Sequence, residues 1–421
     1  MSANVVAAQA SPGLYVGVDV AYGGVALTEQ LIDNVSSYTN FFVIGCTNNY
    51  NETILTTISQ YVYDKGMSFV VYTDIPNYPS QLWFENAQSM WGSRFLGIYY
   101  YDEAGGKQVD LSKPIVLSAA NYSDAANQYV NTMNMVLRSG PFSITNNFAY
   151  PTEYKLFTSD YALYWYDYKA GYDTVFAEFG WNYSRQLNVA LIRGAATAFN
   201  KDWGAVITWT YMQSPYIENG SQLYNDMVLA YENGAKYIVV FDTDKPYTQN
   251  ILLQGQLDAM KQFWQYTQDH PRTISLASDR TAYVLPQDYG YGFRGPQDKI
   301  WGLWPPDNLT LDISMSVATL LQTFGTNLDM VYPNGPQTSE SLGYRNILYW
   351  NDTRLIPTPT PSPSPVQSVS SNQSTAPSQP QKDLPLLFYA TAIGIIVAVA
   401  VVTTVLRFRK RDDNQQSKDV T

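Results

Sequence analysis

Short apolar, β-rich runs alternate with longer amphipathic stretches from residue 13 to residue 271, and no other feature constrains the fold of this chain as strongly. The runs fall at 14–20, 41–47, 68–73, 95–101, 154–158, 173–179, 204–210 and 236–241. Helical stretches follow at about 28–38, 52–65, 80–91, 120–138, 160–170, 184–200, 221–233 and 251–268. Gly66, Gly171 and Gly234 stand where a helix gives way to a strand and a left-handed C-cap is wanted.

Runs apolar on both faces, alternating with helices, imply parallel strands covered by helices. Eight such units over residues 13–271 are the size of a (β/α)8 TIM barrel. The fifth strand is the least regular, because 140–153 has no clear pattern, and a doubly wound open sheet is the alternative. Residues 272–356 carry strand-like runs at 281–285, 327–332 and 345–350 and a helical stretch near 313–324, which predicts a small α/β module. Trp301, Trp304 and Arg294 in this module are read as packing against the barrel, with contact to a ligand as the alternative.

The C-terminal part predicts topology. Residues 384–406 are uncharged and rich in Ala, Val, Ile and Leu, and as a helix they would reach ~35 Å, enough to cross a bilayer. Arg407, Arg409, Lys410 and Arg411 follow at once, which places the tail 407–421 in the cytoplasm. Before the span, 357–383 is a Pro/Ser/Thr-rich stalk that holds itself extended. Residues 1–12 contain Ala8-Gln9-Ala10, similar to the tail of a signal peptide, and are read as its remnant or as a disordered terminus. Together these features predict a single-pass cell-membrane protein with its N-terminal domain outside. Sequons at Asn34, Asn51, Asn121, Asn182, Asn219, Asn308, Asn351 and Asn372 agree with an outside location.

Composition narrows the chemistry. The one histidine, His270, precedes Pro271 at a helix end and is read as a cap, which argues against zinc sites needing several imidazoles. The one cysteine, Cys46, sits in an apolar run and cannot form an intramolecular disulfide. A net charge of −11 argues against nucleic acid as a partner. The chain is 15% aromatic and only 14% charged, which suits an extracellular surface that contacts sugars.

In a barrel of this kind chemistry sits at the C-terminal ends of the strands. There the sequence places Asp19, Asp74, Asp102, Glu103, Ser159, Asp160, Glu178, Asp242 and Asp244. Capping of the following helices accounts for such acids at Asp160 and Asp242. Glu103 leaves an apolar strand beside Asp102, ahead of what look like flexible glycines at Gly105 and Gly106. Glu178 lies inside the apolar run Val175-Phe176-Ala177-Glu178-Phe179, where a carboxylate is expensive unless paired or used. Two carboxyls on one rim are what glycoside hydrolysis needs. The structural alternative for Glu178 is a buried ion pair with Arg185 or Arg193. Tyr101, Trp181, Trp209 and Tyr211 lie near strand ends, where flat rings can stack on sugars or simply pack.

With these residues in view, the region resembles the TIM-barrel glycoside hydrolases. Gly97-Ile98-Tyr99-Tyr100-Tyr101-Asp102-Glu103 is similar to the Asp-Glu exit of strand four in several such families, and Ala205-Val206-Ile207-Thr208-Trp209-Thr210-Tyr211 and Tyr231-Glu232-Asn233-Gly234-Ala235-Lys236-Tyr237 add to the likeness. The whole layout is similar to that of uncharacterised archaeal cell-surface proteins. The resemblance implies Glu103 as general acid/base. It departs from the large retaining clan in one respect: strand seven ends in Thr208-Trp209-Thr210-Tyr211, with no carboxylate until Glu218. Glu178 is therefore the expected nucleophile or water-activating base, with Asp102 beside Glu103 in the catalytic group. Asp19, Asp74, Tyr101, Trp181, Trp209, Tyr211 and Asp242 are the expected substrate contacts, with no cofactor and no metal. The expected function is a surface-anchored glycoside hydrolase-like enzyme acting on an extracellular glycan. The alternatives are a non-catalytic carbohydrate-binding or structural envelope protein, and Ca²⁺ binding through Asp19, Asp74, Asp102 and Asp242.

Overall fold

The computed structural model describes residues 13–22, 24–45, 51–73, 78–139 and 154–352. Asp74, Cys46, the segment 1–12, the stalk 357–383, the span 384–406 and the tail 407–421 lie outside the described residues. Among the described residues no helix is long and apolar enough to cross a membrane.

Eight parallel strands close into a barrel in chain order, β1 (Tyr15–Val20), β2 (Phe41–Ile44), β3 (Ser68–Thr73), β4 (Phe95–Tyr100), β5 (Lys155–Asp160), β6 (Thr174–Phe179), β7 (Asp202–Ile207) and β8 (Tyr237–Phe241). β8 pairs back onto β1 with Asp19 opposite Phe241, so the (β/α)8 architecture is closed and the open-sheet alternative is excluded. The irregular fifth unit supplies a full strand, two residues longer at its C-terminal end than the sequence pattern indicates.

Helices clothe the barrel: α1 (Val25–Val35), α2 (Glu52–Asp64), α3 (Gln81–Trp91), α4 (Ala104–Asp110), α5 (Tyr122–Ser139), α6 (Tyr164–Ala170), α7 (Arg185–Phe199), α8 (Gly220–Glu232) and α9 (Gln254–Asp269). Side-chain caps start several of them: Asn51, Ser184 and Asn219 each accept backbone N–H of the following turn. Gly66, Gly171 and Gly234 all take positive φ at the helix-to-strand turns. His270 is the C-cap of α9, and its ring stacks on Tyr266.

Two cores result from the period-2 alternation of the strands. Outward side chains meet the helices, while the inward row of Phe41, Val43, Val70, Tyr99, Phe157, Phe176, Val206, Tyr237 and Val239 fills the barrel itself. The barrel is thus a packed solid up to its C-terminal mouth.

The remaining segment adds a three-stranded parallel sheet in the order β10-β9-β11, made of β9 (Thr281–Val284), β10 (Leu328–Val331) and β11 (Asn346–Tyr349), with α10 (Asn308–Phe324) and the short α11 (Ser339–Leu342). It docks on α7. Arg193 of that helix reaches Asp329 of β10 at 2.8 Å, and Asp329 also takes Arg280 at 3.3 Å and the Tyr344 hydroxyl at 2.8 Å. Trp301 is fully buried against Tyr129 and Tyr166, which makes it a packing residue.

Candidate active site

The inward row does not stop where the core ends. Taking one more step of two along each strand from the barrel interior gives Asp19, Gly45, Tyr72, Tyr101, Ser159, Glu178, Thr208 and Phe241. All eight line one pit of about 560 Å³ at the C-terminal mouth, joined there by Asp102, Glu103, Lys107, Lys113, Trp209 and Tyr247. Period-2 geometry thus builds the pit, and its acids are the residues at which that row turns from apolar to polar.

The β4 exit carries the most elaborate local structure. Tyr101 and Glu103 both adopt left-handed backbone conformations, with φ of 56° and 55°, and Glu103 N–H donates to the Ser159 carbonyl at 2.8 Å. Glu103 is the N-cap of α4, a helix that the sequence pattern misses. Gly105 and Gly106 are therefore helical and buried, contrary to their expected flexibility. Each is small because of close approach: a Cβ on Gly105 would lie 2.5 Å from the Ala162 carbonyl oxygen, and one on Gly106 would lie 2.1 Å from the Tyr161 ring. Asp160, at the end of β5, accepts the N–H groups of Gly105 (2.5 Å), Gly106 (2.8 Å), Tyr161 (2.7 Å) and Ala162 (3.0 Å), which fastens the start of α4 to the next strand.

One turn into α4, Lys107 Nζ lies 3.0 Å from Glu103 Oε2 and 3.2 Å from Asp102 Oδ1. The Tyr72 hydroxyl donates to the same Asp102 oxygen at 3.3 Å. Burial and the neighbouring Asp102 raise the Glu103 carboxyl above the ordinary glutamate range, and Lys107 opposes that rise.

Glu178 is 6% exposed and has no cation within ion-pair distance among the described residues. The expected alternative partners are engaged elsewhere: Arg185 with Asp226 and Glu218, Arg193 with Asp329. Its Oε1 accepts the Ser159 hydroxyl at 2.8 Å. Burial first, then the charge of Glu103, pushes the Glu178 carboxyl well above its usual range, and the Ser159 hydrogen bond only partly opposes them. Asp19, nearly buried on β1, is raised in the same way by burial and by Asp102.

Of the other expected contacts, Tyr101 and Trp209 line the pit; Lys113 lies over the Tyr101 ring, and Trp209 Nε1 donates to the Thr243 carbonyl at 2.8 Å. Three do not line it. Asp242 is buried beneath the rim, where it accepts the N–H groups of Ile251 and Leu252 and organises the loop into α9. Trp181 and Tyr211 line a separate depression together with Glu218. Strand seven therefore brings no carboxylate to the pit. Among the described residues no group of three or more His, Cys, Asp or Glu side chains could hold a metal ion, which leaves the Ca²⁺ alternative without a cluster there. Sequence reasoning placed Ser159 at the strand-five exit without giving it a role, and it missed Tyr72, for which the period-2 row was the available signal, and Tyr247. It also missed Lys107, which required foreseeing α4.

No protein-family model and no curated protein matches the chain. Among solved structures it is similar to the GH5_18 protein from Streptomyces cattleya in complex with GlcNAc, at 10% identity and a TM-score of 0.50, covering 82% of this chain and 100% of that one. It also matches the GH99 endo-alpha-mannosidase from Bacteriodes thetaiotaomicron at 10% identity and a TM-score of 0.40, over 61% of this chain and 98% of that one. A third match is the beta-mannanase from the blue mussel Mytilus edulis, at 10% identity and a TM-score of 0.38, over 62% and 94%. At such identity the likeness is one of fold, and in fold the chain resembles the TIM-barrel glycoside hydrolases.

Proposed function

We propose that this chain is a surface-anchored glycoside hydrolase-like enzyme that cleaves an extracellular glycan with two carboxyl groups of the pit. The observation that carries the reading is the convergence of Glu103 and Glu178 from different strands on one pit, with a cation beside Glu103 and none beside Glu178. Glycoside hydrolysis needs one carboxyl that still holds its proton and one that has lost it. Buried and hydrogen-bonded by the neutral Ser159 hydroxyl, Glu178 suits the proton donor to the leaving oxygen. Glu103, steadied by Lys107, suits the carboxylate that attacks the anomeric carbon or activates water. This differs from the acid/base role that the family resemblance implies for Glu103, and from the nucleophile or base role expected of Glu178. Trp209, Tyr101 and Tyr247 offer rings for stacking on the sugar. The fold likeness to a protein solved with GlcNAc makes N-acetylhexosamine glycosides a natural part of the first substrate panel.

Glu103→Gln and Glu178→Gln, each checked for an unchanged melting temperature, are expected to lower kcat by about 10²–10⁴-fold on whichever glycoside of the panel is turned over. Wild-type rates in either variant would sink the two-carboxyl mechanism. With Glu103 as base and Glu178 as acid, activity falls at low pH as Glu103 gains a proton and at high pH as Glu178 loses one. Glu178→Gln should remove the alkaline limb of that profile.

The anchoring part of the proposal rests on the apolar stretch 384–406 and the basic residues after it. Protease treatment of intact cells should release the barrel and leave the tail 407–421 protected. A second reading, glycan binding without turnover, is favoured by the absence of a strand-seven carboxylate from the pit. Tight binding of a glycan with no cleavage by the wild-type chain would select it.

A further inference from the structure

Across the chain that leaves β7 lies the second depression, of about 740 Å³. One short segment walls off the two cavities: Thr208 and Trp209 face the pit, Thr210 and Tyr211 the depression. Trp181 N–H donates to the Trp209 carbonyl at 2.9 Å, so the β6 exit is tied into the same wall. A sugar polymer passing over the Trp209 ridge would therefore enter both.

The lining has the chemistry of a sugar site. Tyr211 is 46% exposed, and Trp181 is held in a left-handed conformation at φ 49°, a costly backbone for a bulky residue of the kind that persists at ligand sites. Between the rings lie groups that can bond hydroxyls. Glu218 is 3% exposed, and among the described residues neither its Oε1 nor the buried Thr210 Oγ1 has a hydrogen-bond partner, although such atoms are rarely left without one. Asn225 stands exposed at the edge. The only cation in the lining, Arg185, is spent on Asp226 at 2.7 Å and on Glu218 at 3.4 Å. Burial first, then Asp226, raises the Glu218 carboxyl to about 8, so the lining presents little free charge at neutral pH. That balance suits a neutral sugar and disfavours a uronic acid or a sulfated one.

We propose that this depression is a second carbohydrate subsite, which takes a neutral hexose or N-acetylhexosamine unit of the same glycan whose reacting unit occupies the pit. The inference rests on the glycan reading above and adds the length and charge class of the substrate.

The test is calorimetric titration of the full chain, carrying Glu103→Gln to stop turnover, with cellohexaose, mannohexaose, maltohexaose and chitohexaose and with the disaccharide of each. At least one hexasaccharide should bind, and Tyr211→Ala should weaken it by about tenfold, a stacking contact's worth, while its disaccharide weakens by less than about twofold. Glu218→Gln, nearly isosteric and less disruptive to the fold, should also weaken the hexasaccharide more than the disaccharide. If hexasaccharides bind and both variants match the parent, the subsite is overturned and the pit reading stands. If no member of the panel binds the parent and none is cleaved by the wild-type chain, the glycan reading fails and the subsite fails with it.

Discussion

At the residue scale, the carboxyls of this protein divide by what opposes their burial. Glu178 leans on a neutral hydroxyl, Glu103 on Lys107, and Asp160 on four backbone N–H groups. The last arrangement is a positioning device, because it sets where α4 begins and hence where the Glu103 side chain starts. Asp160→Ala would leave those donors without their acceptor, at a cost of about 2–3 kcal/mol. We expect a lower melting temperature and, on a glycoside that the wild type cleaves, a fall in kcat larger than any rise in KM. An unchanged kcat would show that α4 holds Glu103 without it. Asp102, Glu103, Glu178 and Asp19 were legible in the sequence because each is an acid at the end of, or inside, an apolar run. Asp242 has the same sequence signature yet serves as a loop staple, since only the fold shows that its Oδ1 accepts the N–H groups of Ile251 and Leu252.

At the element scale, regular alternation made the strands readable, and most helices were found to within a few residues. The sequence pattern misses the four-residue α11 and, more consequentially, α4, seven residues long with two glycines in its first turn, which no propensity argument would favour. It forms because those glycines let the backbone seat on Ala162 and Tyr161, contacts that exist only after β5 lies beside β4. A comparable close approach joins α7 to the accessory sheet, where a Cβ on Gly194 would lie 2.3 Å from the Met330 carbonyl oxygen. Gly194→Ala should cost ~1–3 kcal/mol by overpacking. Arg193→Ala, which strips a buried Asp329 of one partner while leaving Arg280 and Tyr344, should cost about 3 kcal/mol. Chemical denaturation of both variants measures these losses. If both leave the midpoint unchanged, α7 and β10 contribute nothing to each other's stability.

At the scale of the whole molecule, buried acids set the pH at which the fold is firmest. Burial raises Asp242 to about 6 and Glu218 to about 8, and holds Asp19 and Glu178 high as well. A carboxyl whose folded pKa exceeds its unfolded value contributes stability that is complete below the unfolded value and lost as pH rises through the folded one. The net charge of −11 acts in the same direction through self-repulsion. The melting temperature should therefore be higher at pH 5.5 than at pH 8.5, and Glu218→Gln should flatten the upper part of that dependence. A flat profile in the parent would mean that these acids ionise without cost. What the sequence determined by itself was the barrel, because strand and helix periods are local properties written residue by residue, and the acids at the strand ends, because a charge inside an apolar run is visible in one dimension. Only the tertiary structure decided which acids share a cavity: pit and depression are separated by the width of one strand exit, and whether a side chain falls to one side or the other depends on barrel closure and on the turn that follows each strand.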